Sequence, residues 1–329
     1  MPNARSITLV APQLAPDLAQ ARSGRAERWP TLARLAARGA LNAIAARAGL
    51  EPWRIGLLDA LGLGALIDRY PEAAVIAAAV SGRRGDYWLR ASTIHLAAGL
   101  NDLTAVKLQP PYQVSAAELT QLAPQVASHV ETAGFELAAQ LEGGWLLRAQ
   151  HPLEVLTDSP LAAASSLQAA MPTGPDAPLL KRLMTELQML LHEHPVNLAR
   201  ADAGAPPINA LWLHGAGSVG ALEQRTLPEA FGEDDYLYGV YRLHAMDVRT
   251  RAIAPDDLLR RAAGNALAVL DEDSLDRLES QWLAPLERAL RARQIRRLEL
   301  VLDRWRIAVD RSALFKFWRA ARSLADWPE

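Results

Sequence analysis

The stretch HEHPVNLARADAGAPPINALWLHGAGSVG, from His192 to Gly220, is the part of the chain that decides the fold assignment. Its apolar run Ile208–Leu213 predicts a strand, and the glycines that follow at Gly215, Gly217 and Gly220 have the G-x-G-x-x-G spacing. This spacing binds dinucleotides when a strand precedes the glycines and a helix N-terminus follows them.

The residues that follow the glycines favour a turn over a dinucleotide site. An acidic cluster, Glu233–Asp235, lies about 20 residues further on, as the dinucleotide pattern requires. However, Ser218–Leu227 lacks the apolar stripe of a packed helix, and Pro228 follows it. We therefore predict a turn at the end of a strand, whose glycines supply positive φ or close packing.

Composition restricts the function. The chain has 329 residues, 50% of them hydrophobic, and 35 Lys and Arg against 37 Asp and Glu give a formal net charge of −2. This balance favours neither nucleic acid nor an acidic membrane as a partner. Cysteine is absent, which excludes disulfides, thiolate nucleophiles and iron–sulfur clusters. The N-terminal apolar run is too short for a signal peptide and no run of about 18 apolar residues occurs, so we expect a cytoplasmic protein.

Strand and helix patterns alternate along the chain and predict an α/β fold. We expect strands at 6–11, 86–93, 102–108 and 237–243, and helices at 30–39, 52–66, 179–191, 255–268 and 273–293. Residues 157–178 are expected to form a surface loop with a short helix, and 74–80 suits either a strand or a helix. Ser115 and Glu118 have capping-box spacing, Gly143–Gly144 predicts a hairpin, and 296–310 predicts a closing hairpin. Phe315, Phe317 and Trp318 are expected to anchor a terminal helix to the core. The region 96–195 is expected to be a small α+β subdomain inserted into a core formed by 1–95 and 196–329.

Few residues of this sequence suggest a chemical site. His192 and His194 are the closest histidine pair, but no third metal ligand is visible nearby. Asn197, Arg200 and Asn209 surround a loop. Either the two Asn side chains satisfy loop backbone groups and Arg200 pairs with Asp202, or Arg200 binds an anion through its guanidinium. The sequence contains neither a G-x-S-x-G motif nor a G-x-x-x-x-G-K-[ST] motif. The commonest serine-hydrolase and nucleotide-hydrolase designs are therefore not expected.

The opening stretch resembles the H-P-V-N-x-x-R-x-x-x-G-x-x-P-x-N-x-[LI]-W-x-x-G-x-G segment of archaeal-type cofactor-independent phosphoglycerate mutases, in the alkaline phosphatase superfamily. The matching residues are His194, Pro195, Val196, Asn197, Arg200, Gly204, Pro207, Asn209, Leu211, Trp212, Gly215 and Gly217. WPTLARLAARGAL (29–41) and GDYWLRASTIHL (85–96) are weaker likenesses to the same family. The tryptophan-rich form of these motifs, with QWLAPLERAL and FKFWR near the C-terminus, resembles bacterial regulatory proteins of the RpfE type. The resemblance implies an alkaline-phosphatase-like core sheet flanked by helices, and a two-metal phosphoryl-transfer site.

The residues of that implied site are not matched. The family's first strand ends in an Asp-Gly metal ligand, whereas this strand ends at Val10–Pro12. The family's P-G-S-D nucleophile loop falls on Pro52–Ile55, which has no hydroxyl, and no histidine follows an aspartate. Two-metal catalysis needs clustered anionic and imidazole ligands. We therefore expect a degenerate relative with no catalytic residue, metal or cofactor.

The expected function is that of a non-catalytic regulatory or binding protein. Its partner would be a phosphorylated small molecule or a protein, and Asn197, Arg200 and Asn209 are the candidate ligand-binding residues. The alternative is a metal-assisted phosphotransferase with unconventional ligands such as His192, His194, His214 or His244.

Overall fold

The protein is a mixed α/β chain, with a central sheet flanked by helices, in a computed structural model. The structure describes residues 5–14, 17–18, 28–98, 103–106, 108, 110–159, 167–320 and 323–328. Part of the predicted loop 157–178, residues 160–166, lies outside these ranges. Within them, every helix is too short or too polar to cross a lipid bilayer.

The chain folds into two compact units. The first contains Met1–Ala46, Pro52–Ile67 and Glu223–Glu329, and the second contains Arg47–Glu51 and Asp68–Leu222. The predicted insertion 96–195 lies within the second unit.

The first unit is built on a seven-stranded sheet. Its strands are β1 (Arg5–Ala11), β2 (Ala40–Ala43), β8 (Glu229–Phe231), β9 (Val248–Arg249), β10 (Ala266–Val269), β11 (Ile295–Leu302) and β12 (Trp305–Asp310). They lie in the order β2-β12-β11-β1-β10-β8-β9 across the sheet. β1 pairs in parallel with β10 and β11, and β12 closes the predicted hairpin with β11. Strands that are buried on both faces have continuous apolar sequences. Such a sequence predicted β1 correctly as a strand, whereas the similar sequence of β10 was predicted as part of a helix.

Helices of the first unit are α1 (Pro30–Arg38), α2 (Pro52–Ala60), α8 (Asp235–Leu243), α9 (Pro255–Arg261), α10 (Leu275–Arg277) and α11 (Ala284–Arg291), with a π-helical turn at Leu278–Leu283. The prediction of a strand at 237–243 is wrong, because this segment is α8. Asp234 caps the helix by accepting a hydrogen bond from the Leu237 amide at 2.9 Å, and Tyr236, Val240 and Leu243 are buried at helical spacing.

Two further predictions for the first unit need correction. The helix predicted at 255–268 ends at Arg261, because Ala266–Val269 enters the sheet between β1 and β8 as β10. The C-terminal aromatics do not anchor a helix: Phe315, Phe317 and Trp318 are exposed by 60%, 78% and 70%.

The second unit is built on an antiparallel sheet of β3 (Tyr87–Ala98), β4 (Leu103–Val106), β5 (Phe135–Leu141), β6 (Gly144–Ala149) and β7 (Ala210–Gly217). Its helices are α3 (Glu72–Ser81), α4 (Ala116–Thr132), α5 (Leu167–Ala170), α6 (Ala177–His192) and α7 (Pro195–Asp202). The ambiguous segment 74–80 lies in α3. The predicted capping box at Ser115 and the predicted hairpin between β5 and β6 are confirmed.

Candidate functional site

The His194–Gly217 segment forms α7, a loop and β7, and Asn197 joins the helix to the strand. The Asn197 side chain is 5% exposed. Its Nδ2 donates to the carbonyls of Leu191 and Ile208, each at 2.8 Å, and its Oδ1 accepts from the Ile208 amide at 2.8 Å. These bonds satisfy buried backbone groups that no regular secondary structure satisfies.

Arg200 lies one turn further along α7 and is also buried, with 5% exposure. Its Nε donates to the Pro206 carbonyl at 2.8 Å and its Nη2 to the Tyr112 carbonyl at 2.7 Å. Its Nη1 donates to the Glu118 carboxylate at 2.7 Å. Burial alone would raise the pKa of Glu118, but hydrogen bonds from the Ser115 amide and from Arg200 outweigh it and hold that pKa below its usual range.

Asn209 directly precedes β7, and its side chain forms hydrogen bonds with the backbone of β3. Its Oδ1 accepts from the Leu96 amide at 2.7 Å, and its Nδ2 donates to the Leu96 carbonyl at 2.9 Å. Asn197, Arg200 and Asn209 thus fix one loop against its surroundings. Ligand binding by these three residues stays a prediction, and their contacts are those of a structural role.

The glycines of the same segment allow a helix to pack closely on β7. Gly215 has φ +65°, and a Cβ built there would lie 2.9 Å from the Cβ of Glu72 in α3. A Cβ at Gly217 would lie 2.5 Å from the Pro71 side chain. Residues 218–228 are all described and contain no helix, so a helix N-terminus for a dinucleotide phosphate is missing there. The prediction that the glycines serve backbone geometry is confirmed at Gly215 and Gly217, which lie in the last residues of β7, but not at Gly220, whose φ is not positive and whose Cβ position is open.

Of the four histidines considered as metal ligands, three lie in unrelated surroundings, and the fourth, His214, belongs to a separate polar cluster. His192 ends α6 and is exposed, whereas His194 is the N-cap of α7, where its Nδ1 accepts from the Val196 amide at 3.2 Å. Burial lowers the pKa of His194. His244 accepts a hydrogen bond from a backbone amide through its Nδ1. Among the described residues, no group of three or more His, Asp or Glu side chains could hold a metal ion.

The positions that the resemblance assigns to a metal ligand and a nucleophile lie in the first unit. β1 ends at Ala11, which is fully buried, and Arg54 lies in the first turn of α2 with 4% exposure. The Arg54 guanidinium lies 4.8 Å from the ring centroid of Trp53 and 5.3 Å from that of Tyr236. A methyl group cannot ligate a metal, and a buried guanidinium repels a divalent cation. Neither side chain is a metal ligand or a hydroxyl nucleophile.

A cluster of four polar side chains in the second unit was not predicted. In this His214 cluster, the Nδ1 atom of His214 lies 3.3 Å from the Glu72 carboxylate and its Nε2 atom lies 2.8 Å from the Ser92 hydroxyl. The Arg90 guanidinium donates to the other Glu72 oxygen at 3.2 Å. Glu72, Arg90 and Ser92 lie far from His214 in sequence, and only one sign pointed to them. Glu72 is the single charged residue of α3, whose other residues are apolar except for the C-terminal Ser81, and such a charged residue often has a buried partner.

The fold and these contacts describe a mixed α/β protein with a helix-flanked sheet. No family model matches the chain. It is similar to the 2,3-bisphosphoglycerate-independent phosphoglycerate mutase of Methanothrix thermoacetophila, with 45% identity over 52 residues. This match covers 16% of the chain and 13% of that mutase.

Two solved structures are similar at low identity. One is the cofactor-independent phosphoglycerate mutase of Thermoplasma acidophilum, with 15% identity, a TM-score of 0.42, and coverage of 99% of this chain and 95% of the mutase. The other is the PH0037 protein of Pyrococcus horikoshii, with 14% identity, a TM-score of 0.41, and coverage of 93% and 87%.

Proposed function

We propose that this chain is a regulatory or binding protein of the RpfE type, a degenerate relative of the cofactor-independent phosphoglycerate mutases that does not transfer phosphoryl groups with metals. The observation that carries the proposal is the environment of Arg54. This residue stands where the resemblance places the nucleophile loop, and its guanidinium is buried against Trp53 and Tyr236.

The chemistry of Arg54 opposes the mutase reaction in two ways. A guanidinium stays protonated at any pH a protein tolerates, so it cannot act as the nucleophile. Its positive charge in a low-dielectric surrounding also disfavours a divalent cation close to it. Ala11 adds no ligand at the end of β1. Two-metal phosphoryl transfer depends on both a nucleophile and anionic ligands.

Without metal-dependent catalysis, the function we propose for the His194–Gly217 segment, which resembles the mutases most clearly, is binding. The ligand class we propose is a phosphorylated metabolite or a protein partner. Arg200 is the anion-binding candidate, although its guanidinium holds Glu118 and two carbonyls in the structure. A thermal-shift screen with phosphoglycerates tests this part: a shift that Arg200→Lys abolishes supports it, and the absence of any shift contradicts it.

Metal binding gives a test that does not depend on turnover. Calorimetric titration of the wild-type protein with Mn²⁺ and Zn²⁺, followed by elemental analysis, is expected to show no stoichiometric binding. Arg54→Ser, which restores a hydroxyl and removes the cation, is the matched variant and is expected to bind no metal either, because Ala11 supplies no ligand. Stoichiometric metal in the wild-type protein would instead support a phosphotransferase with unconventional ligands.

A further inference from the structure

We propose that Ser92, His214 and Glu72 form a nucleophilic site that hydrolyses small carboxylic esters through an acyl intermediate on Ser92. The Ser92 hydroxyl is 2.8 Å from His214 Nε2, and His214 Nδ1 is 3.3 Å from a Glu72 carboxylate oxygen. A hydroxyl, an imidazole and a carboxylate in this order are the arrangement that activates a serine. Here the contact between the imidazole and the carboxylate is at ion-pair distance and lacks hydrogen-bond geometry.

The two nitrogens of His214 have separate roles in this arrangement. When the proton is on Nδ1, the Nδ1–H group faces the Glu72 carboxylate, and the lone pair of Nε2 faces the Ser92 hydroxyl. The carboxylate favours this tautomer and stabilises the imidazolium that forms when the ring takes the serine proton. The side chains of His214 and Glu72 are 4% and 1% exposed, so water screens their interaction little.

Strand pairing and helix packing hold the three groups in place. In the antiparallel pairing of β3 with β7, Arg90 lies opposite His214 and Ser92 lies opposite Trp212, so these side chains share one face of the sheet. Gly215 lets α3 approach that face closely enough for Glu72 to reach the imidazole. Groups on rigid elements keep the geometry that proton transfer needs.

Ser92 is half-buried, whereas its two partners are buried. Ser92 therefore keeps some solvent exposure, while the imidazole and the carboxylate are shielded from water. Gly144 of β6 pairs with Ser92, so that the neighbouring strand places no side chain next to the hydroxyl.

Arg90 supplies positive charge beside the nucleophile. It precedes Ser92 by two residues and lies on the same face of β3. Its guanidinium donates to Glu72 at 3.2 Å and to the Glu142 carbonyl at 3.3 Å, while its buried Nε atom has no acceptor within the part of the chain that the structure describes. Fixed donors of this kind stabilise the oxyanion of a tetrahedral intermediate.

The reaction balances with water as the only co-reactant. The Ser92 oxygen bonds to the ester carbonyl carbon as its proton passes to His214 Nε2. The carbon–oxygen bond to the alcohol then breaks, and the alcohol leaves with the proton from His214. Water, deprotonated by His214, adds to the acyl carbon, the bond to Ser92 breaks, and the proton returns to Ser92. The products are a carboxylic acid and an alcohol.

This site lies in the second unit and uses acyl chemistry, whereas the proposed function rests on Arg54 in the first unit. The two proposals therefore fail separately: serine reactivity says nothing about metal binding, and metal binding says nothing about Ser92.

The test is covalent labelling of the full chain with a fluorophosphonate probe, followed by peptide mass mapping, with hydrolysis of p-nitrophenyl acetate measured in parallel. We expect one label, on Ser92, and ester hydrolysis that Ser92→Ala abolishes. Ser81→Ala is the matched control, because Ser81 donates to the Ala77 carbonyl of its own helix and lies outside the cluster. No label, or a label on another residue of the folded wild-type protein, would overturn the proposal.

Variants of the partners separate activation from structure. His214→Gln is expected to slow labelling about 100-fold or more. Glu72, which acts through His214, is a positioning residue: Glu72→Gln is expected to slow labelling and change its pH profile, and Glu72→Asp to restore part of the rate. Unchanged labelling in a folded His214→Gln protein would overturn the proposal. If His214→Gln does not fold, the position of the label in the wild-type protein tests the proposal: a label on Ser92 supports it, and a label elsewhere or no label overturns it.

Discussion

Gly215 of β7 lies so close to Glu72 of α3 that a Cβ at position 215 would be 2.9 Å from the Glu72 Cβ and 3.1 Å from its carboxylate. Gly215 also has φ +65°, a backbone conformation that favours glycine. One residue therefore satisfies two requirements, a left-handed conformation and the close approach of helix to sheet, and neither requirement involves a nucleotide.

Gly215→Ala is expected to destabilise the protein by more than Gly204→Ala. Gly204 has φ +68° and no atom within 4 Å of its built Cβ, so the alanine there costs only backbone strain, about 1–2 kcal/mol. At Gly215 the collision with Glu72 adds about 1–3 kcal/mol. Chemical denaturation of both variants measures the difference, and equal losses would show that the α3 contact does not constrain Gly215.

The Glu118–Arg200 ion pair predicts a pH-dependent loss of stability. Because hydrogen bonds hold the pKa of Glu118 below its usual range, the pair stabilises the fold above the ordinary glutamate pKa of about 4.3 and stops doing so as pH falls through the lowered value. Glu118→Gln is expected to cost about 1–3 kcal/mol at neutral pH and progressively less in acid.

The control for this measurement is Glu131→Gln, which changes an exposed carboxylate on the same helix α4. Denaturation curves of both variants and of the wild-type protein between neutral and acidic pH give the comparison. A penalty for Glu118→Gln that stays constant over this pH range would mean that the pair contributes no pH-linked stability.

Arg54→Ala is expected to lower the free energy of unfolding by about 2 kcal/mol or more, because it removes the cation–π contacts of a buried guanidinium with the Trp53 and Tyr236 rings. The matched variant is Arg28→Ala. The Arg28 guanidinium lies 5.4 Å from the Trp29 ring, but its side chain is 67% exposed, so we expect a loss of about 1 kcal/mol or less. A negligible effect at Arg54 would show that the buried guanidinium is not part of the packed structure.

The C-terminal aromatics are expected to differ sharply in their contributions to stability. Trp327 is 3% exposed and packs edge-on against Trp305 with ring centroids 5.4 Å apart, so Trp327→Ala is expected to cost about 3–5 kcal/mol. Trp318→Ala is expected to change stability by less than about 0.5 kcal/mol, since Trp318 is 70% exposed. Thermal or chemical unfolding of the two variants measures the loss of stability in each. Comparable losses would mean that Trp318 packs in the core.

Local signals in the sequence predicted much of the fold. The apolar run at β1, the capping box at Ser115 and the glycine pair at 143–144 act over a few residues, and all three predictions are confirmed. The α/β class is confirmed as well. By contrast, the predictions for 237–243 and 266–268 are wrong, because short apolar runs fit either a buried strand or a buried helix until their neighbours are known.

The candidate sites were harder to predict, because they depend on contacts between distant segments. For Arg200, local spacing suggests an ion pair with Asp202 or a bound anion, and for Asn197 a loop backbone group or a ligand. The carboxylate that Arg200 contacts is that of Glu118, 82 residues away, which local spacing cannot identify. Ser92 meets His214 only through the pairing of β3 with β7, and Glu72 reaches His214 only because α3 packs on that strand. No motif of the primary sequence contains this geometry.

Turnover of phosphoglycerate by the purified wild-type protein in the presence of Mn²⁺ is the direct test for metal-dependent phosphoryl transfer in this chain. NMR of the phosphorus nuclei distinguishes the two isomers of phosphoglycerate, and an authentic cofactor-independent mutase serves as the positive control. We predict no interconversion above the rate of a protein-free sample. Interconversion that requires Mn²⁺ and disappears with a chelator would contradict the proposal that this chain lacks metal-dependent phosphoryl transfer.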